Sequence, residues 1–410
     1  MRQFLTLLVL AVAATIPALL LRIEGWRPDP ILDAALFGVA ILAAGFMLSW
    51  GAEAAEKRIS AGLIVALVAL ITVLPEYAVD FYYAYSAGAD PNSNYVHYAA
   101  ANMTGANRLL VGLAWPLLVL LHWRRTRNRA IELRPANRVE ILFLLLPSIY
   151  AFTILLKNAI SIVDTIVLVT LFGLYVWRAS IKSGDEAADD DDEPGPAAAL
   201  GLLTPGRQWA AMGALTIVAA GVILSSAEPF AEAMVDSGRV LGFDEFLLIQ
   251  WLAPLASEAP AVAIAVLFVL SGRSETGLAT MMSDKINQWT LLVGMLPLAM
   301  SFGAGALTAL PLDTRQHEEF FLTAAQSLFG IALLLRLRLS LSAAAALAAL
   351  FVVQVVIAVS YQGDEATTVA SLTIVAWAYI ALAAVIFAMN LPAIRALFGG
   401  GKLGNKGLTE

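Results

Sequence analysis

Leu74-Pro75-Glu76 and Ala256-Ser257-Glu258-Ala259-Pro260 each place a carboxylic acid beside proline inside a long apolar run. Thirty-three residues after each glutamate the chain repeats one tetrapeptide, as Leu109-Leu110-Val111-Gly112 and Leu291-Leu292-Val293-Gly294. A single offset of 182 residues (76 to 258, 109 to 291) therefore superimposes two halves, and the sequence reads as a duplication. A carboxyl group within an apolar stretch is costly unless it binds something or is buried against partners.

The surrounding composition is that of a membrane protein. Hydrophobic residues make up 60% of the chain, charged residues 14%, and the mean hydropathy is +0.79, whereas a soluble domain carries far fewer apolar residues and more charge. The apolar runs are long enough for helices rather than for the short alternating strands of a barrel. Spans are expected near 3–21, 31–50, 59–86, 96–123, 139–157, 159–177, 208–226, 244–270, 283–304, 317–335, 339–360 and 369–390. The expected fold is all-α, a polytopic bundle of about 12 spans built from two inverted five-helix repeats. Residues 1–22 read as an extra N-terminal transmembrane helix retained in the chain, 31–177 as the first repeat, 178–207 as an acidic cytoplasmic linker, 208–360 as the second repeat, 369–390 as an extra C-terminal helix and 391–410 as a disordered tail. The absence of cysteine excludes disulfides and thiolate metal sites. The net charge of −7 gives no argument for a nucleic-acid partner.

Lys and Arg gather in alternate loops, at Lys57 and Arg58, from Arg124 to Arg138, at Arg178 and Lys182, at Arg273, at Arg336 and Arg338, and in the tail. Those loops are expected to be cytoplasmic, with both termini inside; the loop carrying Arg22 and Arg27 is the poor fit. On this topology the Glu76 and Glu258 helices run in opposite directions, the inverted arrangement from which many secondary transporters build a midplane site. Asp185, Glu186, Asp189 to Asp192 and Glu193 precede Pro194-Gly195-Pro196. This stretch reads as a solvated tether, with a calcium-sensing patch as the functional alternative.

Thr72, Glu76 and Asp80 share one helix face at i, i+4 and i+8, with Pro75 freeing a carbonyl one turn earlier. In the second half Pro254 and Pro260 are expected to disrupt the helix around Ser257 and Glu258. The next helix of each half opens with a polar cluster, Asn102, Thr104, Asn107 and Arg108 in one and Ser283, Asp284, Lys285, Asn287, Gln288 and Thr290 in the other. Carboxylates with neutral oxygens suit a hard cation such as Ca²⁺ or Na⁺, and three His with no Cys disfavour zinc and copper. The expected ligands are Glu76, Glu258, Thr72, Asp80, Asn102, Ser257, Asp284, Asn107 and Asn287, with Arg108 and Lys285 as counter-charges; the alternative for the amides and hydroxyls is helix-to-helix bonding. Arg108 is expected to pair with a carboxylate and Lys285, opening its span, to snorkel to an interface. Glu53, Glu56, Glu228 and Glu232 fall at expected span ends and read as solvated caps.

These stretches resemble the cation/calcium antiporter superfamily, the sodium/calcium exchanger membrane-region family, whose repeats carry Gly-Thr-Ser-Leu-Pro-Glu and Gly-Asn-x-x-Gly-Ser-Asn. Here the first motif stands as Ile71-Thr72-Val73-Leu74-Pro75-Glu76 and the second as Ala101-Asn102-Met103-Thr104-Gly105-Ala106-Asn107; the other repeat reads Ala253-Pro254-Leu255-Ala256-Ser257-Glu258 and Ser283-Asp284-Lys285-Ile286-Asn287-Gln288-Trp289, a looser match. The resemblance implies antiport of a divalent cation, usually Ca²⁺, against Na⁺ or H⁺, with Glu76 and Glu258 as central ligands. Val73, Leu255, Ala106, Gln288, Leu110 and Leu292 replace oxygen-bearing positions of the family, which leaves Na⁺ and H⁺ coupling both open. The expected partners are inorganic cations and the lipid bilayer, with no cofactor beyond the transported ions and a bacterial inner membrane as the location. Two other classes stand against the antiporter: a transport-inactive receptor or scaffold that kept the fold, and a membrane-embedded enzyme using the two glutamates as acid and base, for which no nucleophile or metal set is evident.

Overall fold

The computed structural model describes residues 2–56, 73–186 and 196–398. Its helices are α1 (Arg2–Glu24), α2 (Pro30–Glu56), α3 (Leu74–Ala89), α4 (Tyr95–Thr126, with a π-helical turn at Leu110–Ala114), α5 (Arg138–Lys157), α6 (Ile162–Glu186), α7 (Pro205–Leu241) and α8 (Glu245–Ser271). They continue with α9 (Ser274–Asn287, passing through a π turn at Gln288–Leu292 into Val293–Ala304), α10 (Thr314–Leu334), α11 (Leu341–Ser360), α12 (Glu365–Met389) and α13 (Leu391–Phe398). Among the described residues nine helices are long and apolar enough to cross a membrane. The helices outside that set are informative, because α3 is 16 residues long and α3, α9 and α10 carry the buried charges Glu76, Asp80, Asp284, Lys285, Glu318 and Glu319. Hydropathy passes over three helices that carry buried charge, while α4 and α8, which carry Asn102, Asn107 and Glu258, remain within the apolar set.

Several boundaries depart from expectation. At 37 residues, α7 is about 55 Å long, so Glu228 and Glu232 lie in mid-helix rather than at a span end. They are ion-paired: Arg22 reaches Glu228 at 2.5 Å, and Arg27 lies 3.9 Å from both Glu232 and Asp33. That pairing accounts for positive charge in the loop that fitted the charge bias poorly. The side chains of Glu53 and Glu56, the segment 57–72 and the tail after Phe398 lie outside the described residues. The ends of the expected linker are helical, since α6 runs to Glu186 and a 3₁₀ turn occupies Pro196–Leu202.

Helices α2 and α7 pack along each other with α1 against α2, and together they lie over α3 and α8. The contact is close where glycine permits it. A Cβ on Gly45 of α2 would stand 2.7 Å from the Pro260 ring and 3.6 Å from the Pro75 ring, the two prolines beside the two acids. On the far side α3 meets the last segment of α9 through Gly88 and Gly303, where an added Cβ would come within 1.9 Å of the Met300 and Tyr85 carbonyl oxygens respectively.

Two short ribbons, not anticipated from the apolar pattern, join the halves. Strand β1 (Ala130–Glu132) pairs antiparallel with β4 (Arg338–Ser340), and β2 (Ala159–Ile160) with β3 (Leu310–Pro311). The 20-residue α5 separates β1 from β2 and the 21-residue α10 separates β3 from β4, about 30 Å each, so the ribbons sit at opposite ends of the bundle. The 182-residue offset carries the β1 loop onto the β3 loop and the β2 loop onto the β4 loop. Counterpart loops therefore occupy opposite ends.

Candidate ion site

Pro75 falls in the first turn of α3, where its missing N–H is no loss, and the helix sets Glu76 in that first turn with 1% of its surface exposed. Asp80, one turn on, is fully buried, and its Oδ1 accepts a 2.8 Å hydrogen bond from Asn102 Nδ2. Thr72 lies outside the described residues. In the second half the expected disruption does not occur, because α8 continues through both Pro254 and Pro260. Pro254 leaves the Gln250 carbonyl without its usual helical donor, and Gly105 of α4 packs directly on that oxygen; a Cβ there would stand 1.8 Å away.

The carboxyl groups of Glu76 and Glu258 face each other closely enough to interact side chain to side chain, although neither Glu76 oxygen makes an aligned hydrogen bond. Asp80 and Asp284 lie within electrostatic range of them. Gln288 Nε2 donates to Glu258 Oε1 at 2.5 Å, and Tyr77 Oη donates to Asn287 Oδ1 at 2.7 Å. Both Glu76 oxygens, Asp80 Oδ2, Asn102 Oδ1, Asp284 Oδ2 and Gln288 Oε1 are buried without a hydrogen-bond donor. All six are acceptors, drawn from both halves. Buried polar atoms in native structures are nearly always satisfied, and an acceptor without a protein donor is met by a cation, a proton or a water. Among the described residues no three His, Asp or Glu side chains form a closed metal-binding group, so an ion here would be met by carboxylate and amide oxygens together. Ser257 turns its hydroxyl back onto its own helix, donating to the Ala253 and Pro254 carbonyls at 3.4 and 3.3 Å.

The two cations differ from expectation. Lys285 does not snorkel: it is 1% exposed, its ammonium donates to Asn107 Oδ1 at 2.6 Å and lies 4.5 Å from the centre of the Trp289 ring. Arg108 does pair with a carboxylate, but with Glu319 of α10 rather than with either central acid. The N–O contact is 2.5 Å without hydrogen-bond alignment, and the guanidinium also reaches Gln354 Oε1 at 3.3 Å and the Trp251 ring at 4.8 Å. Gln354 donates in turn to Tyr379 Oη at 2.6 Å, drawing α12 into the network. The sequence reading missed Glu319, although a Glu-Glu pair inside an apolar span was the available signal. Tyr77 was missed as well, since an aromatic residue beside the acid looks like core. Leu110, one of the apolar replacements, is buried and lines a cleft of about 300 Å³ with Leu109, Leu113, Leu255, Val262 and Glu258.

A family model described as sodium/calcium exchanger protein matches residues 31–180 and 212–360. No curated protein matches. Among solved structures the chain is similar to an H⁺/Ca²⁺ exchanger, CAX, at 38% identity over 97% of each chain with a TM-score of 0.89. Two others share the fold: YfkE, 15% identical over 85% of this chain and 98% of that one with a TM-score of 0.62, and the sodium-calcium exchanger NCX_Mj, 19% identical over 80% and 98% with a TM-score of 0.52.

Proposed function

Because this chain belongs to the sodium/calcium exchanger protein family, we propose that it exchanges Ca²⁺ for protons through a site that Glu76 and Glu258 share. The protein is an integral membrane cation antiporter, and its family is one of transporters rather than enzymes. Calcium–proton exchange at this site is supported by the set of buried acceptor oxygens without donors around two facing carboxyl groups. Among the buried charges of this centre, the facing pair Glu76 and Glu258 calls for compensating positive charge, which one Ca²⁺ or two protons bring in equal amount. Entry of one therefore requires departure of the other, and that exclusion is the coupling. The small number of oxygens left by Leu110, Leu292 and Ala106 favours protons over Na⁺, as does the similarity to an H⁺/Ca²⁺ exchanger.

Supporting an inverted pair of repeats are the reciprocal ribbons β1·β4 and β2·β3, which hold counterpart loops at opposite ends. The Arg-rich loops on the β1·β4 side support a cytoplasmic assignment of that end, with both termini inside a bacterial inner membrane. Alternating access then follows from sliding of α2 and α7 across the prolines that flank the acids.

Purified protein in vesicles is expected to accumulate Ca²⁺ against an opposing pH gradient. Glu76→Gln and Glu258→Gln are each expected to slow the initial rate by about a hundredfold, the effect of losing roughly 3 kcal/mol of ion binding. Full flux in both variants would remove the site, and flux driven only by Na⁺ would remove the proton coupling.

A further inference from the structure

Asn107 Oδ1 is an oxygen expected to meet a transported ion, and the chain's own ammonium meets it instead. The amide is oriented for that role, because Asn107 Nδ2 donates to the Met103 carbonyl at 2.9 Å and leaves Oδ1 facing Lys285 Nζ at 2.6 Å. The Trp289 ring supports the same ammonium at 4.5 Å, and Glu76 lies within attractive electrostatic range. A carbonyl oxygen, an aromatic face and a nearby carboxylate are what binds a free monovalent cation. A neutral residue would have bridged these helices without the cost of burying an ammonium; that cost is offset here by Asn107, the Trp289 ring and the negative charge of Glu76.

We propose that Lys285 is a tethered monovalent cation, filling from within the chain a place in which the exchanger would otherwise bind Na⁺ or K⁺, and so makes Ca²⁺ transport independent of monovalent metal ions. This rests on the antiport reading, and it assigns Lys285 a specificity role separate from Glu76 and Glu258. The ammonium is anchored to α4 through Asn107 and carried on α9, so it cannot leave the site with the cargo, and it occupies space as well as charge.

The experiment compares Ca²⁺ flux in vesicles under a fixed pH gradient with NaCl or choline chloride. Wild-type flux is expected to be the same in both salts. Lys285→Met is expected to lose about tenfold without Na⁺, the effect of one missing charge-assisted bond, and to regain flux in NaCl. Lys285→Arg, which keeps the charge, is expected to stay Na⁺-independent. Na⁺-dependent wild-type flux, or a folded Lys285→Met without any response to Na⁺, would overturn the proposal. Should Lys285→Met fail to purify as a single species, the wild-type comparison and Lys285→Gln decide it by the same criteria. If wild-type protein moves no Ca²⁺ under any gradient, the antiport reading fails instead, and a Na⁺-dependent rise in melting temperature, present in Lys285→Met and absent in wild type, still tests Lys285.

Discussion

At the scale of single residues, this protein spends buried charge in two places with different consequences. Around Glu76 and Glu258 six buried oxygens lack donors, the feature on which the proposed ion site rests; around Arg108 the charge is matched within the chain by Glu319. Breaking a buried pair leaves an uncompensated charge, whereas replacing both partners by apolar residues is close to neutral. Arg108→Met and Glu319→Leu are each expected to destabilise the protein by about 3–5 kcal/mol, and the double variant to recover most of that loss. Melting curves of the three variants in detergent check this, and additive losses would show that the two residues do not act as a pair. As candidates, Glu76 and Glu258 were legible from the repeat alone. The fate of Lys285 was not, because one-dimensional position cannot distinguish an amine at a membrane interface from one that a π turn and a tryptophan draw inward.

Among the helices, close approach decides which elements position the site. Gly105 lets α4 lie on the Gln250 carbonyl that Pro254 leaves free, so Gly105→Ala must part α4 from α8. A cost of about 1–3 kcal/mol is expected, with loss of Ca²⁺ flux beyond what the fall in melting temperature explains, since α4 carries Asn102 and Asn107. The entry to α10 is held differently, by a capping box in which Asp313 accepts from the Gln316 amide at 2.8 Å and the His97 ring lies 3.1 Å from the same carboxylate. Burial alone would raise the Asp313 carboxyl, but the His97 ring and the first amides of α10 outweigh it and hold it below its ordinary value. A depressed folded value gives stability that is present above the unfolded value of about 3.9 and lost as pH falls through the lower folded one. Asp313→Ala is therefore expected to melt below wild type at neutral pH, with the gap closing as the pH drops below about 4; a constant gap across the titration would show that the carboxylate charge plays no part. The capping signal Asp313-x-x-Gln316 stands in the sequence, but its His97 partner is 216 residues away (97 to 313) and no local pattern announces it.

For the whole molecule the question is which parts move. The ribbons β1·β4 and β2·β3 bind the halves to each other at both ends, while α2 and α7 lie over the acids on small residues. With no native cysteine, engineered pairs report cleanly. A Cβ on Gly38 would lie 3.9 Å from Ala256 Cβ, within the range of a disulfide, so the oxidised Gly38→Cys/Ala256→Cys variant is expected to lock α2 onto α8 and stop Ca²⁺ flux until reduced. Ala130→Cys/Ser340→Cys, joining facing residues of one ribbon, is expected to leave flux intact; the opposite pattern would place the motion between the halves. The sequence by itself determined the membrane setting and singled out the 182-residue offset and the two candidate acids, because apolar run length, a fixed offset and the cost of a carboxyl in hydrocarbon are all properties of the linear chain. Tertiary structure alone decided that α8 stays whole through its prolines, that Arg108 answers Glu319 and that Lys285 answers Asn107. Those pairings join residues more than 170 positions apart (107 to 285, 108 to 319), and which donor reaches which acceptor is fixed only when helices come into contact.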